Sequence, residues 1–377
     1  MSKNPVLYKT LVVGVIVLFI CMSITPSVAI DNPIKPILSG NTLYVGGSGS
    51  GNYTKIQEAI DNATDGNTVF VFNGTYHVRV TESRGLVVDK SINLIGEDRN
   101  NTIINGSGCE FIIRVTANNT NISSFTVRDG RYGIYGWYIN NVTISMMNFI
   151  QTTYGGIRLI QYNWLSSFHT INTCVFKENV VAISISGAKN IISGNIFENQ
   201  IFGIDMLGDY NKIIGNKFIN YDINYFLHLK IVYSIGSIIC ENTFINSQGN
   251  DSMAIYLDHG NRENIISNNS ISGYDNGIFM DWDNKFNMIV NNNISDNIWG
   301  ILIRNRKYNK VISNNFINNT HHAYFRNTIF TKWDANYWGI SRILPKIIFG
   351  DFKIGAFIIP WFNVDWHPAK EPYDIEV

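Results

Sequence analysis

A chain of 377 residues, 45% apolar and only 15% charged, can bury a large core and is neither disordered nor built of charged helices. Its 29 basic residues balance 29 acidic ones without any basic arm or stripe, which argues against nucleic acid as a partner.

The first segment differs from everything after it. Lys3 and Lys9 precede the apolar run Leu11–Met22, and Ser27-Val28-Ala29 offers a small-residue cleavage site. That order predicts a secretory signal over residues 1–29. The alternative is an uncleaved anchor, since Val6–Ile30 is almost long enough to span a bilayer, and it is the one membrane contact the sequence predicts. Either way the remainder is expected to be extracytoplasmic, secreted or on the cell surface. Beyond the signal, Cys109, Cys174 and Cys240 are odd in number and lie in strand-like apolar segments. They predict neither a disulfide framework nor a metal cluster.

A short helix is expected at residues 54–63. Thr54-x-x-Gln57 reads as a capping box, and Ile56, Ala59, Ile60 and Ala63 share one face. The preceding Gly47–Gly51 is a turn into that helix, since no βαβ alternation and no Walker lysine follow it. Strands at Thr68–Phe72, Gly85–Val88 and Ser91–Ile95 come next.

From Gly133 the chain repeats. A small residue followed by an apolar or aromatic one recurs at Gly133, Gly156, Ala182, Gly203, Ala254, Gly277, Gly300 and Ala323. The steps are 23, 26, 21, 51, 23, 23 and 23, and a degenerate copy at Phe226-Leu227 divides the long one into 23 and 28. Within each copy apolar residues alternate at period two between Asn, Gly and Asp turns, with no helical period. Short strands closing every 21 to 28 residues describe a parallel β-solenoid over residues 30–339, with a capping helix at its start.

Phrases such as "NKIIGNKFIN" (Asn211–Asn220) place Asn195, Asn216, Asn242, Asn269, Asn292 and Asn314 in one column. Stacked about 4.7–4.9 Å apart, they are expected to form an amide ladder and to supply the left-handed bend of a corner. Residues 340–377 break the period and carry Pro345, Pro360, Pro368 and Pro372 with Trp361, Phe362 and Trp366. They read as an irregular cap laid over the last coil.

These coils resemble right-handed parallel β-helix proteins of the pectin-lyase-like type, including the copper-accessory NosD proteins. "LYVGGSGSGNYTKIQEAIDNATDGNTVFVFNGTY" (Leu43–Tyr76) is similar to the opening segment of that superfamily, and "NYWG" (Asn336–Gly339) to the close of NosD-like repeats. The resemblance implies an all-β, right-handed fold over roughly Leu43–Gly339. It is specific for fold and weak for activity.

The candidate site is a column of charge. Four residues on from the small residue lie Lys230, Asp258, Asp281 and Arg304; two further on lie Gly260, Asp283 and Arg306; His259, Trp282 and Asn305 fall between. Stacking is expected to bring Asp258 and Asp281 to roughly 5 Å, with Asp283 close by. Such carboxylates, with His259, could act as acid and base on a sugar, or Asp258, Asp281 and Asp283 could bind Ca²⁺. Tyr256, Phe279, Trp282, Lys230, Arg304 and Arg306 would flank the substrate. "LDHG" (Leu257–Gly260) resembles the Asp-His pair of pectate lyases, whereas the paired-Asp and His-Gly motifs of polygalacturonases and a lyase arginine set are missing. The structural alternative is an ion-pair ladder in which Lys230 and Arg304 neutralise the aspartates. Met146-Met147 and His321-His322 form no copper constellation. The sequence therefore predicts a monomeric β-helix that binds polysaccharide or cell-surface glycans, or presents a rigid scaffold. A polysaccharide lyase, hydrolase or epimerase is the alternative, and a NosD-like copper accessory a second.

Overall fold

The computed structural model describes residues 41–78, 84–161, 166–221, 226–247, 251–305 and 307–375. Residues 1–29, where a signal is expected, and Arg306 lie outside them, and among the described residues no helix is long and apolar enough to cross a membrane.

Each coil is built from three short strands. One coil runs Phe202–Leu207, Lys212–Ile214 and Lys217–Asn220, and each strand pairs in parallel with its counterparts one coil before and after. Repeated over about 13 turns this gives three long sheets of 13, 11 and 13 strands among the described residues. We call them sheet 1 (Thr42–Val45 to Lys332–Asp334), sheet 2 (Gly74–His77 to Asn315–Ile317) and sheet 3, which begins at Arg84–Val88. The all-β parallel solenoid is as the repeat predicted.

Alternation sends one side chain of each pair inward. Ile134, Ile157, Ile183, Ile204, Ile255, Ile278 and Ile301 line the core from sheet 3, and Phe149, Phe176, Phe197, Phe218 and Phe244 stack from sheet 2. Those rings lie 4.4–5.0 Å apart and within 7° of parallel. Register is therefore strongly specified, because a one-residue slip would turn this column out to solvent.

The corners differ from expectation in one respect. The ladder asparagines do not make the left-handed bend; the residue before each does. Gly194, Gly215, Glu241, Asn268, Asn291 and Ser313 have φ between 53° and 62°, immediately ahead of Asn195, Asn216, Asn242, Asn269, Asn292 and Asn314. Each ladder Oδ1 then accepts the backbone N–H of the equivalent residue one coil earlier, as in Asn195 N–H to Asn216 (3.0 Å) and Asn216 N–H to Asn242 (2.9 Å). The same construction serves the other two corners, through Asn190, Asn211, Asn264, Asn287 and Asn309 on one and Asn179, Gln200, Asn297 and Asn319 on the other. Cys174 occupies a ladder position as a buried thiol, pushed up to about 12 by burial, in keeping with a small hydrophobe.

The helix α1 spans Ile56–Asn62 and buries Ile56, Ala59 and Ile60 against the first coils. The capping box is not formed: Lys55 is the N-cap and makes no side-chain cap bond. Gln57 turns instead to the first strand of sheet 3, Arg84–Val88, where its amide bonds both the N–H (2.8 Å) and the C=O (3.1 Å) of Val87. Lys90 closes the other end, donating to the Ile60 and Asp61 carbonyls, as suits a cation at a helix C-terminus.

The C-terminal cap is not irregular. Lys346–Ile354 and Phe357–Asp365 form an antiparallel hairpin that joins sheet 3 beside His321–Arg326. Trp361, Phe362 and Trp366 are exposed and do not cover the last coil; Trp338, Ile348, Asp351 and Asp365 are among the residues buried there.

One core column breaks its own rule. Leu229 pairs with Ile204 and Ile255, so the degenerate coil is aligned at His228-Leu229 and not at Phe226-Leu227. His228 stands where neighbouring coils have Gly203 and Ala254, fully buried, with Nδ1 2.6 Å from the Tyr274 hydroxyl. Burial lowers His228 to about 3, and lowers His169, whose Nδ1 accepts the Val142 N–H, to about 4. Both rings are neutral when folded and titrate near 6.5 when unfolded. Between those values the unfolded chain binds more protons, so their contribution is full above about pH 6.5 and lost as pH falls toward 4. The melting temperature should fall over that range. In His169→Asn, which keeps an acceptor for Val142, the fall should be shallower; an identical profile would show that His169 does not carry it.

Candidate functional site

The outer face of sheet 3 has a fixed row, each member next after the inward-facing residue of its strand; in the last coil Ala323 pairs with Ile301, so that copy is aligned at His322-Ala323 and not at Ala323-Tyr324. In register the row reads Arg114, Tyr135, Arg158, Ser184, Asp205, Lys230, Tyr256, Phe279, Leu302 and Tyr324. Lys230 thus pairs with Tyr256, and not with Asp258 as the misaligned degenerate copy had implied. The same misalignment hid Asp205 and Arg158, although the offset that found Tyr256 and Phe279 finds them too.

Asp258 follows Tyr256 at the end of its strand and gathers four groups. Its Oδ1 accepts the Tyr256 hydroxyl (3.0 Å), the His259 backbone N–H (2.9 Å) and the His259 ring Nδ1 (2.6 Å). Its other oxygen lies 3.4 Å from the Lys230 ammonium, which reaches across from the previous coil. Burial opposes ionisation of Asp258, but these hydrogen bonds outweigh it and hold the carboxyl below its usual value. A carboxylate that accepts at Nδ1 fixes the proton there and leaves Nε2 of His259 as the basic nitrogen. Behind Lys230, burial raises Asp205; Lys230 pulls it back and Asp258 adds to the rise.

The remaining candidates have separate partners. Asp281 is nearly buried, and its Oδ1 accepts the Trp282 N–H (3.0 Å) and the Asn305 amide (3.4 Å). Asp283 sits in a left-handed bend and pairs with Lys285 (2.6 Å) and Arg262 (3.7 Å). Arg304 lies over the Phe279 ring at 5.2 Å. Among the described residues no group of three His, Cys, Asp or Glu side chains is arranged to hold a metal ion. The ion-pair reading holds for Lys230 with Asp258, and Arg304 takes a cation–π role within it.

Aromatic surface surrounds the cluster. The half-buried Tyr256 stacks on the buried Phe279 at 5.0 Å and 8°, and the exposed Trp282 lies parallel to His259 at 5.7 Å. Open grooves border it, one lined by Tyr233, His259, Arg262 and Trp282, another by Arg158, Ser184, Asp205 and Lys230, a third by Phe279, Trp299 and Arg304.

This architecture is that of a right-handed parallel β-helix. The model of a family described as periplasmic copper-binding protein (NosD) matches residues 229–357, the stretch that holds the Asp258 cluster. The A-module of a mannuronan C-5 epimerase from Azotobacter vinelandii is similar at a TM-score of 0.57 and 16% identity, over 75% of this chain and 88% of that one. The GH136 lacto-N-biosidase of Eubacterium ramulus is similar at 0.52 and 12% identity, over 79% of this chain and 66% of that one. XylC, solved with xylose, is similar at 0.51 and 12% identity, over 77% and 76%. At such identities the likeness shows the fold alone. A comparison with curated protein sequences finds no match.

Asp258→Asn keeps the side chain's shape but takes the charge from Lys230 and the His259 ring. It should lower unfolding free energy by about 1–2 kcal/mol in denaturant titration, since hydrogen bonds to a charged group are the ones lost. A variant as stable as wild type would mean that the cluster is not formed in solution.

Proposed function

We propose that this is an extracytoplasmic protein that binds an extended polysaccharide along the outer face of sheet 3. The observation that carries the reading is the exposed Trp282 ring stacked on His259, beside the half-buried Tyr256 and the Lys230–Asp258–His259 cluster on consecutive coils. Flat apolar rings next to fixed charged donors and acceptors suit sugars, which present both C–H faces and hydroxyl edges. The solenoid repeats this surface in one direction, as a polymer repeats its units. The signal-like order of Lys3, Lys9 and Leu11–Met22, and the periplasmic description of the matching family, support the location. The structures of similar fold include proteins named for mannuronan and xylose.

A second reading, catalysis, is favoured by the Asp258 geometry. His259 with a free Nε2, a Tyr256 hydroxyl on the same carboxylate and a neighbouring Lys230 cation suit removal of a proton next to a sugar carboxylate, the first step of a lyase or epimerase. Hydrolysis fits less well, since it needs two carboxyls facing across one sugar, and Asp281 and Asp283 are committed elsewhere. The copper reading has the family description behind it but not a ligand set: Met147 is in the core, Met146 is exposed and His321 stacks on Trp299.

The test is a binding screen of the full chain against neutral and uronic-acid polysaccharides, with assays for reducing ends and unsaturated products. At least one polymer should bind, and Tyr256→Ala, compared at a temperature where both proteins are folded, should weaken it about tenfold, roughly 1.4 kcal/mol. Binding indifferent to Tyr256→Ala and Lys230→Ala would refute the site. Unsaturated product that disappears in His259→Ala would establish the catalytic reading, and turnover unaffected by that change would remove it.

A further inference from the structure

The C-terminal hairpin exposes more apolar surface than a cap requires. Its base is amphipathic: Ile348 is buried, and a Cβ at Gly350 would overlap the Phe325 carbonyl. Pairing with the last coil is confined to Phe325–Gly350 and Arg326–Asp351. Beyond those rungs the hairpin continues through Phe352–Ile359, Lys353–Ile358 and Ile354–Phe357 to a turn at Gly355. Side chains along a strand alternate between faces, yet Phe357 through Phe362 are all exposed, with Phe357 at 76%, Ile358 at 59% and Trp361 at 51%. Both faces of this strand are therefore apolar and open.

Two further observations narrow the occupant. The carboxylates of the hairpin are already engaged, Asp351 in a bidentate pair with Arg326 and Asp365 in buried hydrogen bonds; Lys346 is half-buried over the Trp338 ring, so the exposed charge next to the tip is the cation Lys353. Pro360, in the middle of the outermost strand, has no N–H to offer an incoming strand, which disfavours edge pairing with a second copy. A protein partner would cover one face and leave the other wet. Lipid surrounds both.

We propose that the hairpin tip, Ile354–Phe362, inserts into the interfacial layer of an anionic lipid bilayer, with Phe357, Ile358 and Trp361 among the acyl chains and Lys353 at the headgroup phosphates. Apolar rings with a basic rim are what that layer binds. This contact is independent of the N-terminal apolar run and of polysaccharide binding.

The experiment uses the full chain with Cys21→Ser, in which Cys109, Cys174 and Cys240 are buried. A polarity-sensitive dye is placed at Ile358→Cys or, as control, at the exposed sheet 2 position Lys217→Cys. On phosphatidylglycerol vesicles the dye at 358 should shift to the blue, and nitroxide phospholipids should quench it several-fold more than the dye at 217, however the N-terminus is held. Phosphatidylcholine vesicles should reduce the effect, and adding Phe357→Glu with Trp361→Glu should abolish it. Equal quenching at the two positions would overturn the proposal. So would a blue shift at 358 without vesicles accompanied by dimers in sedimentation, which would make the hairpin a contact between copies of this chain. The contrast between positions 358 and 217 decides the matter even if the double glutamate variant does not fold.

Discussion

The structure depends on one hydrogen bond made again and again: a backbone N–H at a corner donating to the side-chain oxygen of the corner residue one coil later. A β-solenoid must turn three times per coil, and each turn leaves a polar N–H facing the interior, where an unmade bond costs about 1–3 kcal/mol. Asn meets the need because it offers an acceptor on one side and donors on the other. Asn216 accepts from Asn195 and donates to the Ile192 carbonyl (2.9 Å) and to Asn242 (3.0 Å). This also explains how Glu241, Phe286 and Tyr308 can hold left-handed φ values that bulky residues avoid: the ladder and the core on either side over-determine the bend.

The corner N–H groups of the ladder donate toward the C-terminus, so the last of them needs an acceptor from outside the repeat, and the hairpin supplies it. Asp365, fully buried, accepts at one oxygen from the Asn336 N–H (3.0 Å), the Asn336 amide (3.1 Å) and the Trp338 indole (3.0 Å). Its other oxygen accepts from the Ala335 N–H (3.1 Å) and the His367 N–H (3.2 Å). A carboxylate suits this terminus because it is an acceptor without donors. The fixed register has a functional consequence as well. It sets Lys230, Tyr256 and Phe279 side by side on sheet 3 and lets Lys230 reach Asp258 on the next coil.

The solenoid was legible because its physics is periodic: Asn216 and Phe218 announce their roles by recurring, and the neighbours they predict are the neighbours they have. Aperiodic features were less readable. The bend was assigned to the ladder asparagine when it belongs to the residue before, since the two always travel together in sequence. His228 hid the alignment of its coil, because a buried histidine paired with Tyr274 takes a place that elsewhere holds glycine or alanine. That slip placed Lys230 in the wrong column and concealed Asp205. In the hairpin, four prolines and a cluster of aromatics suggested irregular packing, whereas Pro360 lies on an edge strand where it is tolerated. The Asp258 cluster was half visible. Its residues were named from stacking, but a side chain's choice of partner, Asp283 with Lys285 and Asp258 with His259, is not written in the spacing.

The most direct test of the ladder is native-state hydrogen exchange on wild type and Asn216→Ala. The corner N–H groups of Asn195, Asn216, Asn242, Asn269 and Asn292 should exchange only with global unfolding, as slowly as core strand amides. In Asn216→Ala protection should drop first at the Asn195 N–H, which loses its acceptor, while the Asn269 and Asn292 N–H groups keep theirs. Fast exchange at these corners in the wild type, or an unchanged Asn195 N–H in the variant, would contradict the account.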